Sequence, residues 1–158
     1  MRKAKAVKHQ VVEDPVYKHR LVTKLINRSM YDGKRSVAQK QVYRAFEIVK
    51  SETNEDPLHV FLQAMENIKP NTEVRPRRIG GAAYQVPAPV RGVRRESLGI
   101  RWLIQAASTR PSSQYKTYAA KLAGEIISAR KGEGGAITKK QEVERVAESN
   151  RAFAHFKW

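Results

Sequence analysis

A change of period in mid-chain constrains the fold more than any other feature. Tyr84, Val86, Ala88 and Val90 alternate with Gln85, Pro87 and Pro89, a repeat of two. Val74-Arg75-Pro76-Arg77-Arg78-Ile79 precedes them and runs into Gly80-Gly81. The pattern predicts a β-hairpin over about residues 73–91, with its turn around Gly80 to Ala83. Pro76, Pro87 and Pro89 have no N–H to give a ladder, so neither strand is central in a sheet. A two-stranded ribbon alone is marginally stable in water and needs a body to lean on.

On both sides of this ribbon the apolar residues follow the helical period. Asp14-Pro15 signals a helix start, and Leu21, Val22, Leu25, Ile26 and Ser29 lie on one face. Asp32-Gly33 ends that segment. Ser36-Val37-Ala38-Gln39 matches a capping box for a second helix carrying Ala38, Val42, Ala45, Phe46 and Val49. Asp56-Pro57 opens a third, with Leu58, Phe61, Leu62, Met65 and Ile68, which stops before Pro70. Beyond Gly92, Leu98 and Trp102 to Ala107 predict a fourth helix up to Arg110-Pro111. Tyr115, Tyr118, Ala119, Leu122, Ile126 and Ala129 predict a fifth. Thr138-Lys139-Lys140-Gln141 is a second capping box, starting a sixth helix with Val143, Val146, Ala147, Asn150 and Ala154 on one face. Residues 1–14 carry no apolar period and read as a flexible basic arm. The fold expected is a mainly α, six-helix bundle-like single domain over residues 15–158, with a hairpin protruding between helices three and four. At 158 residues such a domain buries enough surface to stand without a metal or disulfide.

Charge narrows the partner. The formal net charge is +16, which favours a polyanion. It is distributed unevenly: +8 over residues 1–40, −3 over 41–73, +6 over 74–101 and +5 over 102–158. The acidic block is expected to face solvent or protein, and the basic blocks the polyanion. With no cysteine there is no disulfide, thiolate zinc site or cysteine nucleophile. The basic N-terminus lacks an apolar stretch of signal-peptide type, and no apolar run approaches a membrane span.

Catalytic signatures are absent from the sequence. No phosphate loop, dinucleotide fingerprint, H-E-x-x-H or G-x-S-x-G elbow occurs. Gly132-Glu133-Gly134-Gly135 follows a helix and reads as a turn. His9, His19, His59 and His155 have no metal spacing, and Glu142, Glu144 and Glu148 share a helix with Arg145 and Arg151 as an ion-paired face. No enzyme activity, cofactor, metal, membrane or small-molecule substrate is expected.

The concentrated signal is arginine around the hairpin: Arg75, Arg77, Arg78, Arg91, Arg94, Arg95 and Arg101. Guanidinium groups bind phosphate bidentately and stack on bases. Interleaved Tyr84, Gln85 and Trp102 add stacking or edge-reading groups, which suit irregular RNA. Seven like charges in 27 residues should repel unless an anion neutralises them. On a strand, Arg75, Arg77 and Ile79 share one side and Arg78 takes the other. A second cluster joins Lys18, Arg20, Lys24 and Arg28 to Lys34, Arg35 and Lys40. Lys34 and Arg35 stand at a helix start, where N–H groups and the dipole favour a phosphate.

Arg77-Arg78-Ile79-Gly80-Gly81-Ala82-Ala83-Tyr84-Gln85-Val86-Pro87 resembles the hairpin signature of the seventh small-subunit ribosomal protein family, bacterial type. The C-terminal stretch from Ala147 to Trp158 resembles that family's ending, and Asp14-Pro15, Leu21 to Asn27 and Asp32-Gly33-Lys34 its N-terminal region. The resemblance implies a structural constituent of the small ribosomal subunit, cytoplasmic unless the ribosome is organellar. It implies binding to the 3′ major domain of 16S-type ribosomal RNA, early in head assembly. It also places exit-site tRNA and messenger RNA nearby, with neighbouring head and platform proteins. RNA contact then falls to Lys3, Lys5, Lys8, Lys34, Arg35, Arg75, Arg77, Arg78, Arg94, Arg95 and Arg101; the arginine and aromatic pattern adds Arg91 and Tyr84. The chain departs from the family pattern at Gly92, often proline, at Ala88-Pro89, and at Glu144, often histidine. The alternative is a non-ribosomal RNA-binding or DNA-compacting basic protein, which would bind without a preferred site. An enzyme acting on RNA would need a carboxylate cluster or cofactor loop beside the basic surface.

Overall fold

The first helix starts later than Asp14-Pro15 predicts. Asp14 is buried, and its carboxylate accepts the Val16 and Tyr17 N–H groups at 3.1 and 3.0 Å and the Tyr43 hydroxyl at 2.9 Å. These bonds make a local turn that competes with a helix. Lys18 then adopts φ +48°, outside helical space, and α1 runs over Arg20–Ser29 with His19 as its cap. The computed structural model describes residues 10–156.

The second capping signal also resolves differently. α2 (Arg35–Thr53) begins one residue before Ser36, no side chain caps it, and Gln39 donates to the Tyr43 hydroxyl instead. α3 (Pro57–Ile68) follows its prediction, with Asp56 accepting from the Leu58 N–H and Pro57 in the first turn.

β1 (Thr72–Ile79) and β2 (Ala82–Pro89) pair antiparallel, with Arg75 opposite Val86 and Arg77 opposite Tyr84. Gly80 and Gly81 form the two-residue turn, both at positive φ. That conformation matches the twist of the strands and is open to glycine at little cost.

α4 (Gly92–Thr109) opens on Gly92 at φ +53°. Proline is locked near −65°, so the residue often found at this place in the family cannot take this backbone. α5 (Tyr118–Arg130) starts at the Thr117 cap, leaving Tyr115 in the preceding turn. α6 (Gly135–Ser149) starts three residues before Thr138, because Glu125 of α5 accepts the Ala136 N–H at 2.9 Å. A buried side chain from another helix replaces the local capping box, and Thr138 donates to the Gly134 carbonyl from inside the helix. The chain then tightens into a 3₁₀ helix, Arg151–Phe156. This change of phase breaks the predicted apolar face. Ala136, Ile137 and Ala147 are buried, whereas Val146 is 41% exposed and Ala154 is exposed.

The described residues thus form six α-helices, one 3₁₀ helix and one hairpin. α5 packs against α2, α3, α4 and α6, and is the hub of the core. Phe46, Phe61, Leu25, Met65, Leu103, Leu122 and Ile126 are fully buried there. One polar cluster is buried with them. Glu125, 1% exposed, accepts Arg110 Nε at 2.7 Å, while Arg110 also donates to the Tyr115 hydroxyl and Ser128 Oγ. It joins the end of α4 to α5 and to the start of α6.

The hairpin has the support its composition demands. β1 and β2 pack against α6, and β2 lies along the 3₁₀ helix. Tyr84 meets the rings of Phe153 and Phe156, each with centroids 5.3 Å away.

Candidate nucleic-acid interface

The hairpin root is built around a carboxylate. Glu73 lies on the same strand face as Arg75 and Arg77 and is only 5% exposed. Arg94 of α4 grips it with Nε at 2.7 and 2.8 Å from the two oxygens and Nη2 at 2.6 Å. Arg75 Nε donates to Oε1 at 2.8 Å. Burial pushes the Glu73 pKa up, but the hydrogen bonds and charges of Arg94 and Arg75 outweigh it, and the carboxyl is held below its ordinary value. The bond to Glu73 in turn raises Arg94.

Arg95 fastens the same root to α4. Its Nε donates to the Pro70 carbonyl at 3.1 Å and its Nη2 to Asn71 Oδ1 at 3.0 Å. The Asn71 N–H donates to Glu144 Oε1 of α6 at 2.9 Å, and the Val90 N–H to the Asn71 carbonyl. Glu144 therefore has a structural task here. Within the chain, Glu73 takes Arg75 and Arg94, and Pro70 and Asn71 take Arg95. One expectation is corrected. Glu73, counted with the solvent-facing acidic block, is buried inside the basic one. The other acids of that block, Glu47, Glu52, Glu55, Asp56 and Glu66, are exposed as expected.

The remaining predicted residues divide by environment. Arg77, Arg78, Arg91 and Arg101 are exposed, and the side chains of Arg78, Arg91 and Arg101 have no hydrogen bond or ion pair among the described residues. Arg75 and Arg94 keep about half of their side-chain surface open, 53% and 54%, so each offers donors outward while bound to Glu73. Lys34 and Arg35 are exposed at the start of α2. Tyr84 is half-buried against the 3₁₀ helix, and Trp102 is a core residue at 7% exposure, so its stacking role is withdrawn. Lys3, Lys5 and Lys8 lie outside the described residues.

The structure also joins what the sequence separates. α1 packs on α4, and Lys24 forms an ion pair with Glu96. The first-helix cluster and the hairpin root are therefore neighbours, with a cleft of about 300 Å³ between them lined by Lys24, Asn27, Arg28, Val93 and Ser97. A second cleft of about 640 Å³ brings Lys34 together with Lys116 and Lys121, beside the exposed ring of Tyr31. Lys116 and Lys121 carried no local signal. They are 82 and 87 residues from Lys34 in sequence and reach it through the packing of α5 on α2.

The arrangement presents arginine and lysine donors from a ribbon, two helix starts and a cleft rim. It suits an extended phosphate backbone of irregular shape. No group of three or more His, Asp or Glu able to hold a metal is found among the described residues, nor a helix long and apolar enough to cross a membrane.

The family model described as ribosomal protein S7p/S5e matches residues 1–151. The small ribosomal subunit protein uS7 of Thermotoga maritima is 53% identical over 158 residues, all of both chains. Its namesakes from Caldicellulosiruptor saccharolyticus and Carboxydothermus hydrogenoformans are 52% and 50% identical over 157 residues, 99% of each chain. A hairpin of this register on this helical body, with motifs in order along the full length, leaves one conclusion: the chain belongs to the S7p/S5e family of ribosomal proteins, structural components of the small subunit.

Proposed function

We propose that this chain binds the 3′ major domain of small-subunit ribosomal RNA in the cytoplasmic ribosome, early in head assembly. Its hairpin and last helices lie near the exit-site tRNA and the path of the exiting messenger. The observation that carries the reading is the set of exposed basic side chains on the hairpin and α4, which α1 adjoins through the Lys24–Glu96 pair, with more at the start of α2. The exposed donors are Arg77, Arg78, Arg91 and Arg101, the half-open Arg75 and Arg94, and Lys34 and Arg35. Arg95 serves chiefly to hold the ribbon at the angle the RNA meets, and Tyr84 steadies it from the 3₁₀ helix. Lys3, Lys5 and Lys8, outside the described residues, contribute further RNA contacts.

Phosphate contacts supply affinity; shape and the few side chains reaching bases supply specificity. Neutralising about eight phosphates gives log K a salt slope of roughly −6 to −7. The test is a competition titration of a 3′ major-domain RNA fragment against unrelated RNA and duplex DNA of equal length. Preference for the fragment is expected, and equal binding to all three would overturn the reading in favour of a general basic binder. Replacing Arg75, Arg77 and Arg78 together with Ala should weaken fragment binding with the helical circular dichroism unchanged, since Arg94 still satisfies Glu73.

A further inference from the structure

We propose that Glu73 is a positioning residue for RNA: it organises Arg75 and Arg94 into one phosphate seat at the root of the hairpin. The inference rests on the RNA-binding reading above and deepens it.

A carboxylate inside a polyanion-binding surface is a cost to long-range attraction, so its placement needs a reason. Glu73 is buried, yet both its partners are half open. Arg94 gives it Nε and Nη2, and Arg75 gives it Nε alone. Arg75 therefore keeps both terminal amino groups, and Arg94 keeps Nη1, outside these bonds. The two guanidiniums come from different elements, β1 and α4, and meet on one carboxylate. Each loses rotamer freedom before any ligand arrives, which lowers the entropy lost on binding. The terminal fork of Arg75 and the Nη1 of Arg94, held by one carboxylate, can donate together to the oxygens of a single phosphate, and the planar fork is a geometry lysine cannot copy. Because the seat is fixed relative to both the ribbon and α4, it accepts a phosphate only where the backbone takes the right path. It thus contributes to discrimination between RNAs as well as to attraction.

Glu73→Gln makes the chain more cationic, so attraction alone would tighten binding to every polyanion. A positioning role predicts the reverse for the cognate RNA: affinity for the 3′ major-domain fragment falls about fivefold, the order of one misplaced hydrogen-bond contact, while affinity for duplex DNA stays equal or rises. A double substitution, Arg75→Lys with Arg94→Lys, keeps the charge and removes the forks; it should lower fragment affinity similarly and leave duplex affinity unchanged. Glu73→Gln in that background should add no further loss. Circular dichroism accompanies each titration, and if Glu73→Gln does not fold, the Arg75→Lys with Arg94→Lys variant decides alone. Fragment affinity equal to or tighter than wild type in folded Glu73→Gln, or unchanged in the Arg75→Lys with Arg94→Lys variant, would overturn the proposal and leave the RNA-binding reading intact. A wild-type chain that does not prefer the fragment would overturn both.

Discussion

Two buried carboxylates show how differently one residue type can be used. Glu125 is nearly inaccessible and answers to Arg110 and to the Ala136 N–H, so it closes a helix end and an ion pair at once. Removing one member of a buried pair leaves the other uncompensated. Glu125→Ala is expected to lower stability by about 3 kcal/mol, read by chemical denaturation, with loss of protection at the start of α6. Glu73 is also buried, but its arginines are half exposed, so water screens part of the interaction. Its folded-state pKa is held below the unfolded value. Its contribution is then fully present above the unfolded carboxylate pKa and is lost as pH falls through the folded one. Thermal unfolding of wild type against Glu73→Gln should differ by about 1 kcal/mol at neutral pH, and the gap should close in acid. A gap that persisted unchanged below the folded-state pKa would contradict this account.

At the scale of elements, the hairpin is held by four separate devices, the first being the grip of Arg94 from α4 on Glu73 of β1. Arg95 and Asn71 fix its root to α4, Glu144 fixes it to α6, and Tyr84 rests on Phe153 and Phe156 of the 3₁₀ helix. Only the last acts along the ribbon's length. Tyr84→Ala should therefore speed hydrogen exchange in β2 and the 3₁₀ helix severalfold while leaving the core of α2, α3 and α5 unchanged, because that core shares no contact with it. Uniform acceleration throughout the chain would show that the ring contacts support the whole domain. Element starts also show where local signals yield. Asp56-Pro57 caps α3 as read, since nothing nearby competes. Ser36-Gln39 and Thr138-Gln141 have the same spacing as working caps, yet Gln39 is drawn to Tyr43 and the α6 terminus is drawn to Glu125.

For the molecule as a whole, packing brings distant lysines to one rim. Lys34, Lys116 and Lys121 surround the cleft beside Tyr31. Replacing all three with Ala should reduce the magnitude of the salt slope of fragment binding by about 2 to 3, with little change in stability. An unchanged slope would remove this cleft from the interface. The helical segments, the hairpin and its glycine turn could all be read from the chain, because period and turn chemistry are local: Leu21 to Ser29, Val86 and Gly80-Gly81 report their state within a few residues. The basic character of the ribbon was equally plain, and the motif from Arg77 to Pro87 carried the family. What the linear chain could not supply was the pairing of charges. That Glu73 serves the arginines, that Trp102 belongs to the core, and that Lys24 meets Glu96 all depend on which helices adjoin. Helix contacts join residues far apart in sequence, and a charge's partner is set by distance in space, so these facts exist only once the chain is packed.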